Sequence, residues 1–397
     1  MISFCEAQAL IAQLDLRPQV AELPLAEAAG LVLAQDVALA GDLPPFDRSA
    51  MDGFAIHGVA GRTTYPLLGT VAAGSAWPGP LQPGEAVRIM TGAPCPTGGT
   101  VVPWERASVQ ENKVTVADSA DLLPGRNIAR RGEDGRAGAV VLSAGTALSP
   151  ILLALAAMAG ATRLHVQTPP TIAVITTGDE LGSAIADSNG PFLSALLAAW
   201  GCPAIRAHAR DDAAELSAAF SRHGQAQVLV TTGGVGGSER DLVKPVAMAL
   251  GFVEVFHEVA MQPGKPVLLM RHPDGRLLVG LPGNPVSVVA TAHLILADML
   301  QRLGARAVST WTSLPAAQAH TAKGKRLLFQ PAAILADGRV ALIPWNGSGD
   351  LLAAAAADGL VEVAVGAVWQ PGMPLRFLPY GGSTSGMRGI LPRMSTP

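Results

Sequence analysis

Apolar runs in the second half of the chain alternate with amphipathic segments. Three runs have continuous apolar centres: TIAVITT from Thr171, AQVLVTT ending at Thr232, and RLLVG ending at Gly280. Strands of this kind are buried on both faces. The segments between and after them carry helix-start and helix-stop residues, at 187–200, 211–223, 241–250 and 285–303. We therefore predict an α/β domain with a parallel sheet covered by helices on both faces.

The first 170 residues have a different pattern. Ser3 and Glu6 form a capping box ahead of the apolar stripe FCEAQALIAQL, and a second helix is predicted after Pro24 over LAEAAGLVLAQDV. From 41 to 134, short β-prone runs lie between Gly, Pro and Asn turns and predict a small all-β domain. Residues 135–170 carry one short strand and one helix.

Short strands return from about 312 to 380 and predict a second small β domain. The tail after Tyr380, GGSTSGMRGILPRMSTP, is rich in small residues and is predicted to be disordered.

The composition is that of a soluble, loop-rich globular protein. Of 397 residues, 49% are apolar and 15% charged, with 44 Gly and 31 Pro, which predicts several domains. The net charge of −3 and the lack of a Lys/Arg-rich run argue against nucleic acid as a partner. The N-terminus has no basic signal-peptide region, and Gly and Pro interrupt the longest uncharged run, 137–162, so we expect no membrane span. The three cysteines are far apart without metal-ligand spacing, which fits a cytoplasmic protein.

The stretch from Thr231 to Pro245 is the first candidate for a binding site, because four glycines fall within 233–237. In open α/β sheets, ligands bind at the carboxyl ends of the strands. Thr177-Gly178, the glycine loop and GLPGNP at 280–285 should therefore line one crevice. The glycine loop predicts a phosphate site formed by backbone N–H groups; the alternative is a purely structural turn.

Carboxylates accompany these strand ends, namely Asp179 and Glu180 after the first and Glu239 and Asp241 beside the glycine loop. They could hold Mg²⁺ against a polyphosphate, or they could merely cap helices. The loops PGKP and PGNP would fix Lys265 and Asn284, again with an ordinary tight turn as the alternative.

The predicted N-terminal β domain places polar side chains in constrained loops, including Asp52 and Thr91. The run 130–134 is either part of a site or a solvated charge cluster. The eight histidines show no ligand spacing, and we assign none of them a catalytic role.

Nine motifs resemble those of the molybdopterin molybdenumtransferase (MoeA and gephyrin E-domain) family, in the same order. They are FDRSAMDGFA, EAVRIMTGAP, NIARRGED, AVITTGDEL, DSN, TTGGV, VAMQPGKP, GLPGNPVS and GSG at 347–349. The resemblance covers roughly residues 3–380. It implies a four-domain fold: a parallel-sheet molybdopterin-binding α/β domain, an inserted small β domain, a linking α+β domain and a C-terminal β-barrel. The expected bounds are 1–20 for an N-terminal helix on the α/β domain, 21–43 with 135–170 for the linking domain, 44–134 for the inserted domain, 171–311 for the α/β domain, 312–380 for the barrel and 381–397 for the tail.

The resemblance also implies a reaction and an assembly. Molybdate is placed on adenylylated molybdopterin and AMP leaves, with Mg²⁺ assisting, in a cytoplasmic homodimer whose cleft joins the α/β domain of one subunit to the inserted domain of the other. Contacts with recipient molybdoenzymes or an upstream adenylyltransferase are further possible partners. By motif position, the implied catalytic residues are Asp52, Glu180, Asp241 and Lys265, with Glu180 and Asp241 as the expected Mg²⁺ ligands. The implied substrate-binding residues are Thr91, Arg131, Asp134, Thr177, Gly178, Asp187, Gly233, Gly234, Pro282, Gly283, Pro285 and Ser348.

The chain departs from the family pattern at its phosphate and pterin end. Gly236-Gly237-Ser238 replaces a Ser-Val-Gly core, Glu239-Arg240 replaces Asp-Tyr, Gln262 replaces a Lys, and Ala186 replaces a Tyr. These changes leave two alternatives to a molybdate insertase. One is a carrier of molybdopterin or molybdenum cofactor without turnover, and the other is an enzyme that uses tungstate or another nucleotide-linked pterin.

Overall fold

The computed structural model describes residues 1–179, 181, 185–238, 241–305 and 310–381. The chain forms two compact units. The larger unit comprises residues 1–21, 30–32 and the chain from 165 onward, and the smaller unit comprises residues 22–29 and 33–164. None of the helices in these described ranges is long and apolar enough to cross a bilayer.

The N-terminal segment confirms one predicted helix and corrects the other. Helix α1 (Phe4–Gln13) starts with the predicted capping box, in which the Glu6 N–H donates to Ser3 Oγ at 3.2 Å and the Ser3 N–H donates to Glu6 Oε2 at 2.7 Å. The second predicted helix is wrong. Strand β1 (Gln19–Pro24) precedes the predicted helix, and the place of the helix is taken by a 3₁₀ turn (Leu25–Glu27) and β2 (Val32–Leu33). Gly30 has φ of 75°, a conformation that ends a right-handed helix.

The smaller unit is mainly β structure, as expected for 41–134. Its strands are β3 (Val37–Ala38), β4 (Arg48–Ser49), β5 (Gly53–Ile56), β6 (Thr64–Val71), β7 (Ala86–Ile89), β8 (Thr100–Pro103), β9 (Ala107–Gln110), β10 (Lys113–Val116), β11 (Ile128–Ala129) and β12 (Val140–Leu142), with 3₁₀ turns at Trp104–Arg106 and Ser119–Leu122 and helix α2 (Pro150–Met158). Six strands form one sheet in the order β8-β5-β7-β6-β10-β9, while β11 pairs with β4 and β12 with β3.

The larger unit contains the expected α/β sheet. Its elements are β13 (Arg163–Thr168), β14 (Ile172–Thr177), α3 (Asn189–Ala199), β15 (Ala204–Ala209), α4 (Ala213–Arg222), β16 (Val228–Thr232), α5 (Val243–Ala249), β17 (Val253–His257), β18 (Met261–Gln262), β19 (Leu268–Arg271), β20 (Leu277–Leu281), α6 (Pro285–Thr291), a π-helical turn (Ala292–Leu296) and α7 (Ala297–Arg302). The sheet order is β15-β14-β16-β20-β19-β17. The first four strands are parallel, as predicted, but β19 and β17 are antiparallel neighbours and make the sheet mixed.

Alternate residues of the central strands pack on opposite faces of this sheet. Val174 belongs to a core that includes α1, α3 and the α6–α7 helix, while Ile175 belongs to a core that includes α4 and α5. Burial on both faces explains the continuous apolar runs in the sequence. The start of α4 was assigned one residue early, because the side chain of Asp212, not Asp211, accepts from the N–H groups of Ala214 and Glu215.

The C-terminal segment forms a second sheet in the larger unit. It contains β21 (Thr312–Pro315), β22 (His320–Thr321), β23 (Leu327–Ile334), β24 (Val340–Leu342), α8 (Leu351–Ala355), β25 (Gly359–Val363), β26 (Val368–Trp369) and β27 (Pro374–Pro379). The order is β18-β23-β25-β27-β21, with β24 on β23 and a separate β22-β26 pair. Strand β18 therefore joins the loop that follows it to the C-terminal sheet. A disordered tail was predicted for 381–397, and all of it except residue 381 lies outside the described residues.

Candidate functional site

Three parallel strands end side by side at one edge of the α/β sheet. In the register of the sheet, Thr176 on β14 pairs with Thr232 on β16, and Thr232 pairs with Leu281 on β20. The segments that follow are Thr177-Gly178, the glycine loop and Pro282-Gly283. The predicted convergence of these three strand ends is therefore confirmed.

The glycine loop begins with a tight packing contact. Gly233 has φ of 85°, and a Cβ on it would lie 2.9 Å from Thr177 Oγ1. Thr177 Oγ1 in turn donates to the Thr232 carbonyl at 3.1 Å, and the Gly233 N–H donates to the Leu281 carbonyl at 3.0 Å. The start of the loop is thus held by both neighbouring strands, and the Gly233 N–H is already used within the fold.

The later part of the glycine loop surrounds the Asp241 carboxylate. The Ser238 N–H donates to Asp241 Oδ2, and the Asp241 N–H donates back to the Ser238 carbonyl at 3.0 Å. Burial alone would raise the pKa of Asp241, but hydrogen bonds from Ser238 and from the backbone of Gly236 and Gly237 outweigh it and lower the pKa. The backbone N–H groups of the loop form a nest around the chain's own carboxylate, and the phosphate site at this loop stays a prediction.

A cleft of about 130 Å³ opens beside this nest. It is lined by Thr177, Gly178, Leu181, Asn189, Asp211, Thr232, Gly233, Gly234, Asp241 and Gly283. Two carboxylates, Asp211 and Asp241, face it, so its chemistry suits a cation or a hydrogen-bond donor as well as a phosphate. We call it the glycine-loop cleft.

A larger cleft of about 450 Å³ lies on the other side of Gly283, which lines both. We call it the Lys265 cleft. Its polar and charged lining comprises Gln262, Lys265, Asn284, Ser287, Arg326 and Ser348, and its remaining lining comprises Met261, Pro263, Gly264, Pro266, Pro282, Gly283 and Trp345. Two cations therefore meet in a cleft whose lining includes no carboxylate among the residues that the structure describes, which suits an anion.

The backbone turn before Lys265 fixes this side chain. The Val259 N–H donates to the Lys265 carbonyl at 2.9 Å, and Lys265 Nζ lies 3.0 Å from Glu258 Oε1. The hydrogen bond from Lys265 lowers the pKa of Glu258, so the Glu258 carboxylate is ionised at neutral pH. Across the cleft, Asn284 Nδ2 donates to Ser348 Oγ at 2.8 Å. Lys265 and Ser348 thus face one cavity, as the sequence motifs implied.

Asp187 lies outside the linings of both clefts. It accepts from the Gly190 N–H at 2.8 Å and from Arg206 at 3.0 Å, which fixes the start of α3. The adjacent Asn189 makes the link to the site, because its Nδ2 donates to the Gly283 carbonyl at 2.8 Å. Pro285 is the first residue of α6 and sets the end of the PGNP turn.

The predicted residues of the smaller unit form two hydrogen-bonded groups. Asp52 Oδ1 accepts from both the N–H and the hydroxyl of Thr91, at 2.7 and 2.8 Å, and these bonds lower the pKa of Asp52. The Arg131 side chain pairs with Asp42 at 2.7 Å, and its N–H donates to Asp47 at 2.9 Å. The predicted charge cluster at 130–134 is thus hydrogen-bonded to the 42–47 loop rather than simply solvated.

Asp134 belongs to the same loop region of the smaller unit. It is exposed, and its N–H donates to the Leu43 carbonyl at 2.9 Å. Its carboxylate is therefore placed on the surface of the loop that carries the Arg131 contacts.

Two residues of the site, Arg326 and Trp345, lie in no motif that was recognised in the sequence, and both line the Lys265 cleft. Asn189 belongs to the recognised DSN motif and lines the glycine-loop cleft, but it was not among the predicted site residues. Arg326 directly precedes β23, whose Leu327 pairs with Met261 on β18, and this register brings it beside the PGKP loop. Glu180, Glu239 and Arg240 lie outside the described residues. Within the described ranges, no group of three or more His, Cys, Asp and Glu side chains could hold a metal ion.

Comparisons with known proteins give one consistent result. Residues 2–160 match the family described as the MoeA N-terminal region (domain I and II), and residues 173–302 match a probable molybdopterin binding domain. The molybdopterin molybdenumtransferase of Synechococcus elongatus is 37% identical over 313 residues, covering 73% of this chain and 76% of that protein. Molybdopterin molybdenumtransferase 2 of Mycobacterium tuberculosis is 36% identical over 325 residues, covering 76% and 79%. A solved molybdopterin biosynthesis MoeA protein from Pyrococcus horikosii superposes with a TM-score of 0.81 at 26% identity, over 96% of this chain and all of that one.

Proposed function

The chain belongs to the molybdopterin molybdenumtransferase family, as its motifs predicted, and on that premise we propose that it inserts molybdate into adenylylated molybdopterin with release of AMP. Its role is in molybdenum cofactor biosynthesis. The observation that carries the proposed reaction is the pair of clefts that share Gly283. One offers carboxylates beside a glycine loop, and the other offers two cations in a lining without acids among the described residues.

The two clefts support different parts of the substrate pair. Lys265 and Arg326 give the Lys265 cleft the charge to hold molybdate, and Ser348 supplies a hydroxyl for one of its oxygens. The glycine-loop cleft takes the phosphate side of molybdopterin, with Thr177, Gly178, Gly233 and Gly234 as its walls. Gly283 lies where the dithiolene would have to meet the oxyanion.

The chemistry that follows is positioning and charge neutralisation rather than covalent catalysis. Lys265 neutralises charge on the oxyanion, and the strand ends hold the two substrates in adjoining cavities. The donors at the glycine loop are carboxylate oxygens, which fit Mg²⁺ held by one or two protein carboxylates together with substrate phosphate. Asp241, which lines the same cleft as Asp211, and Glu180, the ligand that the motif implies, would hold it, and the ion would supply positive charge against the pyrophosphate.

A homodimer is part of the proposal, with Asp52, Thr91, Arg131 and Asp134 contributing to the cleft of a second subunit in the cytoplasm. Helix α2 supports such an association. It contains no charged residue, and Ile151 and Met158, two turns apart on one face, are 73% and 61% exposed. An apolar helix face of this kind marks an interaction surface.

The assembly is tested by light scattering on the full chain of 40.6 kDa. Wild type should have twice that mass, and Ile151→Glu should shift the equilibrium to the monomer because it buries a charge in the interface. The matched control is Val368→Glu, at a valine of β26 that is 60% exposed. A monomeric wild type, or equal dissociation by both variants, would contradict the proposed dimer surface.

The reaction itself is tested by incubating purified protein with adenylylated molybdopterin, molybdate and Mg²⁺ and measuring AMP by chromatography. We expect catalytic AMP release that depends on molybdate. Tight binding without AMP release would reject the enzyme in favour of a carrier. Full activity in Glu180→Ala would show that the metal and nucleotide chemistry lies elsewhere.

A further inference from the structure

A third cavity, of about 430 Å³, lies on the C-terminal sheet. The turn that joins β22 to β23 forms one wall, with His320, Lys323 and Arg326, and the end of β25 at Val363 forms another. We call it the Lys323 cavity. None of the motifs or substrates discussed above accounts for it.

The charges around the Lys323 cavity are of one sign. Its described lining includes Lys323 and Arg326 but no Asp or Glu. The carboxylate next to Val363 in the chain, Glu362, is paired with Arg376 at 2.7 Å. Part of the remaining wall is apolar, from Leu328 and Val363, and low-dielectric walls strengthen the field of cations placed at a cleft. The cavity is therefore suited to an anion.

The wall that carries the cations is held by an aromatic contact. His320 pairs with Trp369 across the β22-β26 ladder, and their rings stack with centroids 4.6 Å apart and planes 28° apart. The cavity is thus built on paired strands, and its imidazole wall cannot rotate without breaking a ring stack.

Arg326 connects this cavity to the Lys265 cleft, because it lines both. The strand order explains how. Strand β23 lies between β18, which leads into the PGKP loop, and β25, whose end lines the Lys323 cavity. Arg326 stands just before β23, so one side of it faces each cavity.

We propose that the Lys323 cavity is a second binding site for a tetrahedral oxyanion, adjacent to the Lys265 cleft and sharing Arg326 with it. The site holds the anion through Lys323 and Arg326. It lets an oxyanion bind next to the cleft and pass along Arg326 into it. The site stands on the charges and shape of the cavity itself, and only the naming of molybdate as its natural occupant rests on the proposed function.

The test is a calorimetric titration of the full chain with molybdate, in the absence of any pterin. Wild type should bind two anions per chain. Lys323→Glu should weaken one of the two sites by about tenfold or more, since it replaces a charge-assisted contact by repulsion, and leave the other unchanged. The control, Lys113→Glu, reverses a charge at an exposed position of β10 in the smaller unit and should keep both sites.

A single site in wild type, or two intact sites in Lys323→Glu, would overturn the proposal. A parallel titration after saturation with phosphate identifies the anion. If the second site still takes molybdate, it selects the metal oxyanion, and if it is blocked, it is a phosphate site of the same chemistry. Because this titration measures binding, a failure of AMP release would refute the proposed reaction but would not contradict the proposed second site.

Discussion

Replacing Lys265 by alanine separates a catalytic charge from an ordinary surface ion pair. Lys265 lies 3.0 Å from Glu258, and its side chain is 38% exposed. The chain offers a close match in Lys244, which lies 2.5 Å from Glu254 and is 35% exposed but lines neither cleft. Both pairs are half-open to water, so each substitution should reduce the free energy of unfolding by only about 0.2–1 kcal/mol.

Their effects on the reaction should differ greatly. A preorganised charge that stabilises developing negative charge contributes about 3–4 kcal/mol, so Lys265→Ala should slow AMP release roughly 10²–10³-fold. Lys244→Ala should remain within about twofold of wild type, because it changes no group at the substrate. Urea unfolding of both variants provides the stability control.

The assay is single-turnover AMP release with adenylylated molybdopterin and saturating molybdate. Equal rates for Lys265→Ala and Lys244→Ala would refute the assignment, and so would a Lys265→Ala rate close to wild type. In that second case Arg326 would be the cation that matters in the Lys265 cleft.

Three further predictions concern single residues. Gly233→Ala, which places a methyl group against Thr177, should reduce the free energy of unfolding by about 1–3 kcal/mol, whereas Gly275→Ala, also at positive φ but with open space around it, should lose only about 1 kcal/mol in the same urea titration. Burial, followed by the Asp47 charge, raises the pKa of Cys95 to about 11. At pH 8, iodoacetamide should therefore modify Cys95 roughly a hundredfold more slowly than an ordinary thiol. Peptide mass spectrometry should find the exposed Cys5 labelled first. The pKa of Asp241 is lowered, so the carboxylate stabilises the fold at any pH above its ordinary pKa of 3.8, and this stabilisation is lost as the pH falls through the lowered pKa. Asp241→Asn should therefore destabilise the protein by about 1 kcal/mol at pH 7 and by less near pH 3, measured by urea unfolding at both pH values.

The sequence predicted the site best where local pattern and tertiary structure agree. The strand ends at Thr177 and Thr232 were predictable because strands covered on both faces are apolar throughout, and a glycine turn marks where the second one stops. The second N-terminal helix failed because its apolar spacing fits a helix, while Gly30 takes a left-handed conformation there.

Contacts between segments that are far apart in the chain could not be predicted from the sequence. Arg326 reaches the Lys265 cleft through the pairing of Leu327 with Met261. Strand β18 has only two residues, so it is too short to show an alternating pattern of apolar and polar positions in the sequence. The antiparallel pair of β17 and β19 was not predicted for a related reason, since these strands are only five and four residues long.

The nest around Asp241 changes what substrate binding means at the glycine loop. The donors of Ser238, Gly236 and Gly237 already have an acceptor, so an incoming phosphate would enter by exchange and not by filling a vacancy. The free energy of such a step is the difference between two anion–loop interactions, and that difference is much smaller than either interaction alone. A loop of this kind binds a phosphate weakly and releases it readily, because the Asp241 carboxylate rebinds to the loop as the phosphate leaves.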